Sequence, residues 1–137
     1  MNKNKFRVWD KVNKKFVPPS YIAVNGDGVS LITDSGMLEK LQNRKYCVVD
    51  REYSIQQFIG ILDSRMKEIY ERDVVKFFTL NGEELGEVLY STDSCAYYIN
   101  DYPIMNISLE SLEVVGNMLE DYMWDESGEK LVKIENL

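Results

Sequence analysis

Gln57–Phe78, QFIGILDSRMKEIYERDVVKFF, sets the architecture, because turn chemistry interrupts it at short, regular intervals. Ile55, Phe58, Ile59 and Leu62 are spaced to line a helix face or to form an irregular apolar run, and Gly60 weakens the helical alternative by about 1 kcal/mol. Asp63–Lys67, DSRMK, reads as a turn, Glu68–Tyr70 as a short extended piece, and Glu71–Asp73 as a second turn that delivers Val74–Leu80 as a strand. Val74, Val75, Phe77 and Phe78 do not alternate strictly. This predicts cover on both faces, as in a small closed barrel or at an oligomer interface.

Downstream, Asn81 and Gly82 form the dipeptide most typical of hairpin reversals, and Glu87–Tyr90 returns from it. Tyr97–Ile99 follows the polar STDS, Asn100–Pro103 makes another turn, and Leu112–Val115 is the last strand, stopped at Gly116 and Asn117. Short β segments packed this densely fit a small SH3-like barrel. The acidic tail from Met118 to Leu137 has Trp124, Leu131, Val132 and Ile134 as anchors, with DESGEK as a turn; it adds either a helix or an edge strand.

Upstream, KFRVWD puts Phe6 and Val8 on one face and Arg7 and Trp9 on the other, and DKVNKK turns the chain toward Phe16 and Val17. Pro18 and Pro19 stop that hairpin, since neither donates to a ladder. Tyr21–Val24, NGDG and Val29–Thr33 form the clearest hairpin of the chain. In Asp34–Asn43, Met37, Leu38 and Leu41 stand at helical spacing behind Asp34 or Ser35 as a cap, which predicts one or two helical turns. Tyr46–Val49 reads as a strand. The expected protein is therefore mainly β: N-terminal hairpins with one or two short helices (residues 1–50), a small barrel-like region (51–120) and an acidic tail packed on the core (121–137).

A chain of 137 residues buries roughly two-thirds of the surface its unfolded form exposes and needs no staple. Cys47 and Cys95 each stand alone in a hydrophobic segment without a CxxC pair, and are expected to be buried free thiols in a reducing compartment. The N-terminus lacks the apolar core of a secretory signal and no run approaches the ~20 apolar residues of a membrane span, so a cytoplasmic location is expected.

The net charge of −7 is unevenly placed. Residues 1–50 carry nine Lys/Arg against five Asp/Glu, whereas residues 51–137 carry seven against eighteen. Such complementary halves either keep the surface solvated or steer one copy onto another. The basic N-terminus has the composition of a phosphate contact, with Trp9 or Phe16 for stacking, but an isoelectric point near 4.7 opposes any polyanion; direct nucleic-acid binding is not expected.

The composition excludes several chemistries. Without histidine there is no HExxH site and no Ser/His/Asp or Cys/His triad, and the side chain best suited to proton transfer near neutrality is missing. NGDG lacks the helix and lysine of a phosphate loop. Asp121, Asp125 and Glu126 cluster without the spacing of an EF-hand, which favours a solvated acidic surface over a cation site. No catalytic, cofactor-binding or metal residue is therefore expected, and no cofactor. Tyr97, Tyr98 and Tyr102 lean toward half-buried packing, with an interface as the functional alternative.

KFRVWDKVNKKFV, QFIGILDSRMKEIYERDVVKF and LEVVGNMLED together resemble the three signatures of the YopX family of phage and prophage proteins. The matching positions are Arg7, Trp9, Asp10, Gln57, Phe58, Gly60, Asp63, Glu68, Ile69, Tyr70, Glu71, Asp73, Val75, Glu113, Val114, Gly116 and Asn117. Two departures stand out: Ile59 where the family has Thr, and Arg72 where it has Gly, so the turn before Asp73 is made without glycine. The resemblance implies a mainly β fold with a small barrel-like C-terminal part, a tendency to self-associate, a bacterial cytoplasm as the setting, and no catalytic residues. It also implies structural roles: Trp9 as a core anchor, Asp63 and Asp73 as turn formers, Gly116 with Asn117 as a strand exit.

The expected function is non-enzymatic protein–protein association, with a homo-oligomer assembled through basic N-terminal and acidic C-terminal surfaces. The alternatives are a modulator of a host protein whose acidic half mimics nucleic acid, and an enzyme of unrecognised type.

Overall fold

Short apolar segments set between turn residues form the strands of the described chain. The computed structural model describes residues 5–25, 28–32, 38–43 and 53–134, with the backbone alone at 24, 25, 28 and 38–43. The chain forms two compact units, Met1–Phe58 and Ile59–Leu137.

In the first unit, β1 (Phe6–Asp10) and β2 (Lys15–Phe16) form the N-terminal hairpin, with Trp9 opposite Phe16. After a 3-10 turn at Pro19–Tyr21, β3 (Ile22–Asn25), β4 (Gly28–Ile32) and β5 (Leu38–Asn43) make a three-stranded antiparallel sheet. The NGDG hairpin is present, with Asn25 opposite Gly28. β6 (Tyr53–Leu62) pairs its first half with β1, Val8 facing Ile55. Val8, Val29 and Leu31 are buried together, and Phe6, Val17, Ile22, Tyr53 and Ile55 pack against them. Trp9 points to the other face, 6% exposed, with its ring edge-on to Phe16 at 5.0 Å.

The helical expectation for Asp34–Asn43 is overturned where it is described. Leu38–Asn43 is a strand paired with β4 through a bulge between Val29 and Ser30. Cross-strand pairing there outweighs a helical spacing of only three apolar residues. The remainder of that expectation, and the strand expected at Tyr46–Val49, lie outside the described residues.

In the second unit β6 continues into a hairpin with β7 (Glu68–Tyr70). β8 (Asp73–Thr79), β9 (Gly82–Ser91), β10 (Ala96–Ile99), β11 (Tyr102–Pro103) and β12 (Glu113–Asn117) form a curled antiparallel sheet in the order β11-β10-β9-β8-β12. β13 (Tyr122–Trp124) and β14 (Leu131–Lys133) pair as a C-terminal hairpin around the DESGEK turn. The tail thus adds strands rather than a helix. Among the described residues there is no α-helix; the helical structure present is 3-10 turns, including Ile104–Asn106 and Leu109–Ser111, where no helix is expected from the sequence.

Ile69, Val75, Phe77, Val88, Ile99 and Leu112 form the core of this unit, each fully buried, with Ile59, Ile61, Tyr97, Ile104, Ile107 and Val114 packed around them. Burial of such a side chain contributes about 1.5–3 kcal/mol. Val74 is also fully buried although it faces opposite to Val75, so β8 is covered on both sides at its start. β9 passes close to β10 at Gly86, where a Cβ would collide with Cγ2 of Ile99 and crowd Asn100. The β8–β9 reversal is one residue earlier than its dipeptide suggests: Thr79 pairs with Gly82, so Leu80 and Asn81 turn the chain and Gly82 takes φ 103°.

Cys95 corrects a second expectation. It is an exposed free thiol in the turn before β10, at φ 53°, and not a buried one.

Candidate functional site

Four of the polar motif residues, Asp10, Asp63, Asp73 and Asn117, hold turns. In the first hairpin, Asp10 accepts the N–H groups of Val12 and Asn13 on Oδ1, both at 3.0 Å, and the Asn13 side-chain amide on Oδ2 at 2.8 Å. The bonds from Asn13 outweigh partial burial and hold the Asp10 carboxyl below its ordinary value of 3.8. Asp63 does the same after β6: Oδ1 accepts the N–H groups of Arg65 (2.9 Å) and Lys67 (2.8 Å), and Oδ2 accepts that of Val114 (2.9 Å) at the start of β12. Burial pushes its carboxyl upward, but these three bonds and the Lys67 charge prevail and hold it low. Asp73 accepts the Tyr70 N–H at 2.8 Å across the β7–β8 turn. Asn117 ends β12 by accepting the N–H groups of Leu119 (2.9 Å) and Glu120 (2.8 Å), while Gly116 lets the Tyr122 ring lie against the backbone. Asp63, Asp73, Gly116 and Asn117 thus have the turn and strand-exit roles expected of them, while Trp9 is buried against Phe16 on the face opposite the Val8 cluster.

Arg72 keeps the β7–β8 turn tight without glycine by adopting φ 71°, a conformation that costs an L-residue about 1–2 kcal/mol. Its N–H donates to Val88 O (2.9 Å), its carbonyl accepts from the Met118 N–H (2.9 Å), and its Nε lies 3.0 Å from Oε2 of Glu87. Glu87 is 3% exposed. Its Oε1 accepts the Trp124 indole N–H at 3.0 Å, whereas the Arg72 contact is an ion pair too bent for a hydrogen bond. Sequence reading did not single out Glu87, because an isolated glutamate at a strand position reads as solvated. Asn100, likewise missed, sits at φ 54° and ties itself to β9 on both sides of Gly86 by donating to Leu85 O (3.1 Å) and accepting from the Glu87 N–H (3.2 Å).

Of the tyrosines, Tyr97 leans on the core, with its ring edge-on to Tyr90 at 5.1 Å. Burial, and after it the Glu71 charge and Tyr90, push its phenol up to about 12, so it stays protonated. Tyr102 packs edge-on against Phe77 at 5.7 Å. Tyr98 joins Leu89, Tyr90, Ser91, Asn100 and Asp101 around a shallow groove of about 310 Å³. Tyr97, Tyr98 and Tyr102 therefore do not share one site.

A second depression, of about 370 Å³, is lined by Val115, Glu120, Asp121, Tyr122, Lys133 and Ile134. Asp121, Asp125 and Glu126 are not gathered around a common point. Asp121 accepts the Asn117 N–H at 3.1 Å, and Asp125 organises its own turn through Ser127 Oγ (2.6 Å) and the backbone N–H groups of Glu129 and Lys130. Among the described residues no three acidic or cysteine side chains are placed to hold a metal ion, and no helix is long and apolar enough to cross a membrane.

The charge imbalance follows the division into units. Residues 1–58 hold ten Lys/Arg against six Asp/Glu, a net of +4, and residues 59–137 hold six against seventeen, a net of −11.

A family model described as YopX protein matches residues 5–122. Two solved structures share the fold: protein EF1440 from Enterococcus faecalis, at 18% identity and TM-score 0.55, covering 85% of this chain and 93% of that one, and protein yopX from Bacillus subtilis, at 18% identity and TM-score 0.55, covering 88% and 96%. Among curated proteins none matches.

Proposed function

Because the chain belongs to the YopX family, we propose that it is a non-enzymatic phage or prophage protein that works in the bacterial cytoplasm by protein–protein association, first of all with copies of itself. In this reading the Ile59–Leu137 unit is an SH3-like scaffold and its outer surface is the working part. The observation that carries the proposal is the contrast between the two sets of side chains described above. Asp10, Asp63, Asp73 and Asn117 are engaged in turns and Phe58, Ile69 and Val75 are buried, whereas Leu89 and Tyr90 stand 43% and 45% exposed on a strand and line an open groove. Opposite net charges on the two units favour contact between copies at low salt.

Light scattering of the full chain across protein and salt concentration is the test. Association that weakens with salt supports the reading in full. Association indifferent to salt removes its electrostatic part, and a strict monomer removes all of it.

The concentration of −11 in one unit favours a second reading, a host-protein modulator whose acidic surface stands in for nucleic acid. A host protein retained on immobilised chain and released by added DNA would support it; retention unaffected by DNA would not.

A further inference from the structure

We propose that the tip of the β1–β2 hairpin of one copy docks in the tyrosine groove of a second copy, an inference that rests on the self-association proposed above and names the surfaces that carry it. The tip presents an aliphatic side chain among cations. Val12 is 70% exposed, an unusual position for valine in a polar turn, and the exposed Lys11, Lys14 and Lys15 belong to the same hairpin end. It is also rigid. The Asp10 carboxylate holds the N–H groups of Val12 and Asn13 and the Asn13 amide, so little freedom is left to lose on docking.

The groove has the complementary character. Leu89, Tyr90 and Tyr98 supply apolar and aromatic surface, Asp101 supplies an exposed carboxylate, and no cation is among the lining residues. Its shape is fixed by the Tyr90–Tyr97 ring contact and by the two bonds of the Asn100 side chain. A volume of about 310 Å³ accommodates a hairpin tip and not a whole element. Val12 meets Leu89 and the tyrosine rings, lysine stems lie across the ring faces, and an ammonium reaches Asp101. Because tip and groove are different surfaces, the contact is heterologous: each copy offers one of each.

Sedimentation velocity on the full chain tests this with Val12→Glu, which spoils the tip, and Leu89→Lys, which spoils the groove. Each variant alone is expected to associate at least tenfold more weakly than the wild type. Mixed in equal amounts they are expected to form a 1:1 heterodimer, because an intact tip on one meets an intact groove on the other. If Leu89→Lys loses its circular dichroism, Asp101→Lys in the exposed turn replaces it. Wild-type-like association of either folded variant, or an inert mixture, overturns the docking assignment while leaving self-association standing. A wild type that is monomeric at every concentration overturns both.

Discussion

Asp63 and Val114 are 51 residues apart in sequence and are joined by a hydrogen bond of 2.9 Å from the Val114 N–H to the Asp63 carboxylate. The same carboxylate organises the β6–β7 turn through Arg65 and Lys67, and the Ser64 N–H donates to Leu112 O at 2.8 Å beside it. One side chain therefore shapes a local turn and fixes the start of a distant strand at the edge of the sheet.

Asp63→Ala removes the acceptor of three backbone N–H groups at once. Arg65 and Lys67 are exposed and water replaces their partner, whereas the Val114 N–H loses a bond in a half-buried strand. We expect a loss of about 2–3 kcal/mol, since an unsatisfied buried donor alone costs about 1–3 kcal/mol. Urea denaturation measures it, and native-state hydrogen exchange should show the Val114 amide exchanging faster. A midpoint equal to wild type would show that the turn and β12 hold without the carboxylate.

Acid should reveal the same residue. Asp63, Asp10 and Asp125 all have carboxyls held below 3.8 in the fold, so each binds its proton less readily when folded than when unfolded. Their contribution is present above about pH 4 and is lost as pH falls through the unfolded value toward the lower folded ones. Asp63→Asn cannot titrate. The stability gap between wild type and Asp63→Asn is therefore expected to be constant from pH 7 to 5 and to shrink below pH 4. Urea midpoints of both proteins at pH 7, 5, 4 and 3 measure it, and a gap that widens in acid would contradict the assignment.

What could be read from the chain divides by the range of the interaction responsible. Asp63, Asp73 and Asn117 were recognisable as turn residues because their partners lie within four residues, where side-chain type and spacing carry the information. The bond from Val114 to Asp63 has no such local signature, nor does that from Trp124 to Glu87 across 37 residues. Leu38–Asn43 misled for a related reason: its spacing suits a helix, and its partner strand decides otherwise. Of the candidate groove, the tyrosines were visible as composition, but the hairpin register that sets Tyr90 opposite Tyr97, and the exposure of Cys95 in the turn between them, belong to the fold.

Two glycines should tolerate no side chain, for different neighbours. A Cβ at Gly116 would stand 2.8 Å from Cε2 of Tyr122 and 2.9 Å from Oδ2 of Asp121, and one at Gly86 would collide with Ile99. Ile99 and Tyr122 are both buried and cannot withdraw, but the approach to Ile99 is the closer of the two, and at Gly116 the Asp121 side chain is exposed and can yield. Gly86→Ala is thus expected to cost more than Gly116→Ala, with both in the range of about 1–3 kcal/mol typical of overpacking. Thermal melts of the two variants compare them directly, and the reverse order would place the tighter constraint at the β12 exit.

Arg72 poses a competition between strain and charge. Arg72→Gly relieves a left-handed residue, a gain of about 1–2 kcal/mol. It also strips Glu87, 3% exposed, of its only ion-pair partner among the described residues. Removing one member of a fully buried pair costs about 3–5 kcal/mol, and the Arg72 side chain is 44% exposed, which lowers that figure. The charge penalty still exceeds the relief, so Arg72→Gly alone is expected to destabilise by about 1–2 kcal/mol, the reduced ion-pair penalty less the relieved strain. Arg72→Gly with Glu87→Gln removes the stranded charge, and Gln keeps an oxygen for the Trp124 indole. The double variant should therefore be more stable than Arg72→Gly, giving a favourable coupling in the double-mutant cycle. Trp124 emission reports whether the indole contact survives, since a lost bond exposes the ring and shifts its maximum to the red. Additive losses in the cycle would mean that water already serves Glu87, and that the ion pair contributes nothing to holding the turn.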